Sequence, residues 1–158
     1  MMVSTRGRYA LRVMIDIAEH SNGNYVAMHE VADRQDISLK YLERILPMLV
    51  KAKLIEGVHG KGGGYHLTRK PAEYTVGEIL RLTEGDLAPV SCLDCRGPEC
   101  DRKEECRTLP MWEKIDKIVN DYFDSVTIED LMYKDITANI ELKKPLGFRA
   151  VFLVVAGA

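Results

Sequence analysis

The sequence predicts a mainly α-helical chain that carries one small β-hairpin and ends in a long helix. Three observations predict it. Apolar residues recur at helical spacing in three short stretches before residue 51, two β-type runs flank a glycine-rich tip at residues 59–64, and a helical stretch with one broad apolar side follows Pro110. Three short helices followed by a hairpin is the order of a winged helix-turn-helix, whose last helix enters the DNA major groove. The expected organisation is a DNA-binding domain over residues 1–84, a cysteine-rich loop over 85–109, a dimerisation helix with a short capped helix over 110–133, and a tail of unassigned role over 134–158.

The first helix is carried by Ala10, Leu11, Met14, Ile17 and Ala18, with Ser4 or Thr5 placed to cap it. A second, short helix spans residues 29–34, and the connection at 35–37 leads to Ser38, a favourable N-cap. In the third helix Leu42, Ile45, Leu46 and Leu49 form the buried stripe, while Lys40, Tyr41, Glu43, Arg44 and Lys51 form a face suited to phosphates and base edges. Pro47 removes a backbone hydrogen bond there, so a kink is expected, or a helix whose first turns are the working part. The runs at 54–58 and 65–68 form the hairpin, whose glycines let the backbone approach DNA closely while His59 and Lys61 supply donors and charge. Thr75 and Glu78 have the spacing of a capping box for a fourth helix, and Thr127 and Asp130 that of a last short one.

Trp112, Ile115, Val119, Tyr122 and Phe123, widened by Met111 and Ile118, give the long helix more apolar surface than a small domain covers by itself. That points to a homodimer seam. The tail joins a polar stretch at 141–147 to a strongly β-prone, nearly uncharged segment at 148–155, which would be adhesive if left exposed.

Charge divides the chain. Residues 1–70 hold 11 of the 22 Lys and Arg but only 7 of the 24 Asp and Glu, so a polyanion would meet the first half. The opening residues place arginines inside the first apolar stretch, unlike a signal peptide, and no span is long enough to cross a bilayer. A cytoplasmic protein is expected, in a compartment where thiolates serve as ligands and structural disulfides are rare. Neither a nucleophile–base pair nor a phosphate-binding loop is evident; the glycine run precedes a strand instead of a helix, so an enzyme is not expected.

All four cysteines fall between residues 92 and 106, as Cys92-x2-Cys95-x4-Cys100-x5-Cys106. Confinement to one loop indicates joint action: a metal, an iron-sulfur cluster, or thiol–disulfide chemistry. Four thiolates suit tetrahedral zinc as well as a cluster. The surrounding acids keep the loop solvated, and Arg96, Arg102, Lys103 and Arg107 are placed to offset cluster charge.

The segments GRYA at 7–10 with Asp16 and Ala18, ISLKYLE at 37–43, KAKLI at 51–55, GKGGGYHL at 60–67 and VGEI at 76–79, with the cysteine loop before Trp112, resemble the Rrf2 family of winged-helix regulators over about residues 3–132. The resemblance implies a homodimer crossed through its long helices, bound to a palindromic operator in double-stranded DNA. It implies phosphate contacts at Tyr9, major-groove reading by Ser38, Tyr41 and Glu43 within the stretch that includes Leu39, Lys40 and Arg44, and wing contacts at His59, Gly60, Lys61 and Gly62. Glu43 is suited to accept a hydrogen bond from cytosine N4. It further implies an iron-sulfur cluster (2Fe-2S or 4Fe-4S) on Cys92, Cys100 and Cys106. Where relatives draw a fourth ligand this chain has Leu109 and Arg8, and a guanidinium is never deprotonated, so Cys95 is the local candidate, with His29 or His66 as the alternative from elsewhere in the chain. Two further readings stand beside a cluster-controlled regulator, most simply a repressor: the same regulator with a structural zinc or a disulfide switch, and a protein-interaction module with weak DNA binding.

Overall fold

The computed structural model describes residues 3–60, 62–95, 97 and 100–133; Lys61, Arg96 and the tail from residue 134 lie outside them. Six helices and one hairpin occur among these residues: α1 (Thr5–His20), α2 (Met28–Gln35), α3 (Leu39–Lys51), β1 (Ile55–Val58), β2 (Gly64–Leu67), α4 (Val76–Glu84), α5 (Leu109–Ser125) and α6 (Ile128–Met132). This is a winged helix-turn-helix followed by a long helix.

Local chemistry starts the helices where the sequence indicates. Ser4 caps α1 by accepting from the Gly7 N–H, and its hydroxyl also donates to Glu84 at 2.7 Å, tying α1 to the end of α4. Ser38 caps α3 by accepting from the Tyr41 N–H. Thr75 caps α4 by accepting from the Glu78 N–H, but the Glu78 carboxylate takes Arg69 at 2.7 Å instead of closing a capping box. At α6 the box is complete: Thr127 and Asp130 bond reciprocally. Between α2 and α3 the chain turns through Asp36 in the left-handed region, φ 51°.

α3 runs through Pro47 without a break. Pro47 has no N–H for the Glu43 carbonyl, yet both residues are exposed, so the orphaned acceptor is open to solvent and the disruption costs less than in a core.

α1 is the hub, packed by α2, α4, α6 and β2. Ala10, Val13, Met14 and Ile17 of α1 are fully buried against Val31, Leu42, Ile45, Leu49, Ile79 and Ile128, each of these side chains larger than alanine contributing roughly 1.5–3 kcal/mol on burial. Gly7 lets α4 come close, because a Cβ there would lie 2.4 Å from a Glu84 carboxylate oxygen. One buried acid organises the helix-turn-helix: Asp16, 0% exposed, accepts from Arg34 at 2.6 and 3.1 Å and from Gln35 at 2.8 Å. These bonds clamp the end of α2 onto α1, and the carboxylate holds the Arg34 guanidinium above its ordinary pKa. Gln35 in turn accepts from Arg12 at 3.0 Å.

The hairpin is antiparallel, with Ile55 opposite Leu67 and Val58 opposite Gly64. Its base is fastened twice. Val26 and Tyr65 exchange backbone hydrogen bonds of 2.8 and 2.9 Å, adding a third extended segment beside β2. Tyr74 is fully buried; its hydroxyl donates to the Leu54 carbonyl at 2.9 Å and accepts from the Arg69 N–H at 2.7 Å, with the Arg69 guanidinium over its ring. The C-terminal elements return to the same place, since the Val76 N–H donates to Val126 and the Ile128 N–H to Tyr74.

Candidate nucleic-acid interface and cysteine loop

At the N-terminus of α3, Ser38, Leu39, Lys40, Glu43 and Arg44 are exposed, and Tyr9 and Tyr41 are half-buried; Lys51, also exposed, lies at the opposite end of the helix. Tyr9 and Tyr41 meet edge to face with ring centroids 5.2 Å apart, and the Arg12 guanidinium lies 5.3 Å from the Tyr9 ring. This contact joins the start of α1 to the first turn of α3, so a phosphate contact from one and a groove contact from the other would move together. Among the described residues Glu43 has no ion-pair partner, although Lys40 and Arg44 flank it. Its carboxylate keeps its accepting capacity for a base edge.

The wing tip places His59, Gly60 and Gly62 in solvent. Gly60 at φ 106° and Gly62 at φ 77° adopt conformations that side chains rarely take. Lower on the same hairpin, His66 Nε2 lies 2.8 Å from Glu56 and its ring meets Tyr25 edge to face. The expected contact at Lys61 falls outside the described residues.

The cysteine loop links the end of α4 to the start of α5 and is built of turns around one short 3-10 segment, Ser91–Leu93. Cys92 and Cys95 are exposed, Cys100 and Cys106 half-exposed, and no disulfide joins them. Asp86 straps the start of the loop: one carboxylate oxygen accepts from the Ala88 N–H at 2.7 Å and the other from the Cys95 N–H at 3.0 Å. The ligand atoms of Asp86, Asp94 and Cys95 all lie within 4.8 Å of one another. Among the described residues no three of the thiols are gathered that closely. The strap faces a cleft of about 510 Å³ lined by Arg81, Leu87, Leu93, Cys95, Asp116 and Asn120. Arg81 crosses from α4 to α5, donating to Asn120 at 2.9 Å and pairing with Asp124.

Cys106 differs from an ordinary thiol. The Thr108 hydroxyl, 3.4 Å from its sulfur, holds its pKa below the usual range, with a small contribution from Arg102. Because the thiolate is the nucleophile, alkylation of reduced, metal-free protein begins at lower pH at Cys106 than at an unperturbed thiol. Iodoacetamide labelling across a pH series, read by peptide mass spectrometry, checks this, and Thr108→Val moves the Cys106 profile upward.

α5 buries no residue completely. Met111, Ile115, Ile118 and Tyr122 are exposed by 37–48%, whereas Phe123 packs against Val76, Leu80, Leu87 and Val126.

Comparison with known proteins decides the family. The model of the Rrf2 family, described as iron-dependent transcriptional regulators, matches residues 3–134. The protein rrf2 of Nitratidesulfovibrio vulgaris is 37% identical over 132 residues, covering 84% of this chain and 87% of its own. The chain belongs to the Rrf2 family. The regulator IscR of Aliivibrio salmonicida is 34% identical over 133 residues, covering 84% of this chain and 77% of the relative. The structure of CymR, the global cysteine regulator of B. subtilis, superposes with a TM-score of 0.70 at 31% identity, covering 84% of this chain and 96% of that one. This Rrf2 chain is accordingly a transcriptional regulator of the Rrf2/IscR type, in a family that binds DNA and contains no enzymes among the relatives compared. Among its described residues no helix is long and apolar enough to cross a membrane.

Sequence reasoning did not foresee the supports of this Rrf2 site. Asp16 is among the residues that carry the resemblance, but its clamp with Arg34 and Gln35, which holds α2 on α1, and the anchoring of the wing by Tyr74 do not follow from periodicity. Asp86 and Asp94 gather around Cys95 with only a weak local signal, the density of acids beside a cysteine.

Proposed function

We propose that this Rrf2 chain is a cytoplasmic homodimeric repressor whose affinity for a palindromic operator is set by an iron-sulfur cluster. Cys92, Cys100 and Cys106 would hold the cluster, and Cys95 is the local candidate for the fourth ligand. One observation carries the reading: all four thiols of the chain, none in a disulfide, sit on the solvent-reachable loop between α4, which packs on the DNA-binding core, and α5. Thiols are the donors that such clusters take, so the residues fit the group. When bound, the cluster supplies a redox- and iron-sensitive bond network that oxygen, nitric oxide or iron scarcity can dismantle.

The protein's own part is mechanical. Both ends of the loop are fixed to helices, α4 and α5, so a rearrangement of the loop on holding a cluster is passed to them. α4 carries one end through Ser4, Glu84 and the hub helix α1; α5 carries the other, with Arg81 bridging the two. The exposed face of Met111, Ile115, Ile118 and Tyr122 supports dimerisation, which would present two α3 helices about one turn of DNA apart, roughly 34 Å or a multiple. A change at the loop then alters that separation. Lys40, Arg44, Lys51 and Arg8 supply the charge for phosphates, so binding weakens steeply with salt.

Anaerobic isolation of the full chain, with iron, sulfide and zinc analysis and visible absorption, tests the reading. The expected result is iron with equimolar sulfide, air-bleached absorption, and an operator affinity that differs between loaded and bleached protein. In a variant with Cys92, Cys100 and Cys106 changed to serine, that difference disappears. Zinc with no visible absorption, or affinity unchanged by bleaching, sinks the cluster. A second reading, a thiol switch, is favoured by the lowered pKa of Cys106 and by the likeness to CymR. It predicts a diamide-induced disulfide that alters operator affinity in metal-free protein.

A further inference from the structure

We propose that Leu39 reads the 5-methyl group of a thymine lying one or two base pairs from the cytosine addressed by Glu43, an inference that rests on the operator-binding reading above. Leu39 is the first residue of α3 and is 47% exposed. It is not among the buried residues of either hydrophobic cluster of the fold. A scattered exposed leucine is unremarkable on a protein surface, but the first turn of a recognition helix is the part that meets base edges.

The neighbouring groups narrow the choice. The Ser38 hydroxyl accepts from the Tyr41 N–H at 3.3 Å as the helix cap and keeps its own O–H for a polar base edge, and the Tyr41 ring is engaged by Tyr9. Lys40 and Arg44 carry charge suited to phosphate. Leu39 and Glu43 are four residues apart and therefore share one face of the helix. Leucine offers neither donor nor acceptor, so pressed against amide or carbonyl edges it would only displace water from them. The major groove holds one apolar group, the thymine methyl, and Glu43 as a pure acceptor matches the cytosine N4 amino group. Four residues of helix advance about 6 Å, and successive base pairs about 3.4 Å, which sets the spacing of the two bases.

The test uses the full-length chain and an operator selected from random duplexes. Each thymine of the selected site is replaced in turn by deoxyuridine, which removes the methyl and leaves base pairing intact. The expected result is one position in each half-site where the replacement weakens binding roughly four-fold, the scale of one buried methyl group. That penalty is absent in Leu39→Ala, whose folded state is checked by circular dichroism before the binding measurements. If every deoxyuridine duplex binds like the parent, or the penalty persists in Leu39→Ala, the inference is overturned while operator binding stands. Failure to enrich any duplex overturns both.

Discussion

Arg34→Ala is expected to lower the stability of the folded chain by about 3 kcal/mol, the lower end of the range for stranding one member of a buried ion pair. The two partners are unequal: Asp16 is 0% exposed and Arg34 31% exposed. Removing the arginine leaves a carboxylate deep beneath α1 with only Gln35 at 2.8 Å and the more distant His20 at 3.6 Å. Removing the acid leaves a guanidinium that water can still reach. Asp16→Ala therefore costs less electrostatically than Arg34→Ala, a reversal of the usual expectation that the fully buried residue is the more sensitive one. Urea unfolding of both variants measures the order, and equal losses would contradict it. Because the clamp joins α2 to α1, Arg34→Ala also weakens operator binding under conditions where the protein is still folded.

Gly64→Ala is the second large effect. A Cβ at Gly64 would lie 2.3 Å from the Val26 carbonyl oxygen and 2.5 Å from its carbon, both backbone atoms that cannot swing aside. Relief requires β2 to leave the Val26 segment and give up the paired hydrogen bonds between Val26 and Tyr65. Two such bonds and the associated packing amount to about 2–3 kcal/mol. The larger consequence is positional, since the wing tip is levered away from the place set by Tyr74. A gel-shift with the selected operator is expected to show at least about a ten-fold loss of affinity, which corresponds to 1.4 kcal/mol. Gly60→Ala, with no atom within 4 Å of its Cβ and only a positive φ to strain, is expected to lose far less.

These two sites show which parts of the molecule were legible before its structure. Helix starts were, because Ser4, Ser38 and Thr127 each act on an N–H three residues away and leave a local spacing in the sequence. The glycine-rich tip was legible as a hairpin. The reason for Gly64 was not: it answers to Val26, thirty-eight positions earlier, and not to turn flexibility. The acid at Asp16 carries no periodic signal, since a buried charge in an apolar stripe looks like a break in the pattern until Arg34 is brought beside it. The cysteine spacing announced a shared task and the right segment. It could not announce that Asp86 would strap the loop through the Ala88 and Cys95 backbone, because such bonds depend on how the turns close.

The return of Val126 and Ile128 to Val76 and Tyr74 gives the cysteine loop the standing of an insertion spliced into a closed ring. The ring's neck is made of backbone hydrogen bonds and the fully buried Ile128 side chain. Once a neck is closed, the entropy of the excursion depends only logarithmically on its length, and doubling a flexible loop costs about 0.6 kcal/mol. The spacing between the cysteines is therefore thermodynamically cheap to alter. In evolutionary terms, the segment that would meet the chemical signal can lengthen, shorten and change its ligands while α1, α3 and the wing keep their geometry.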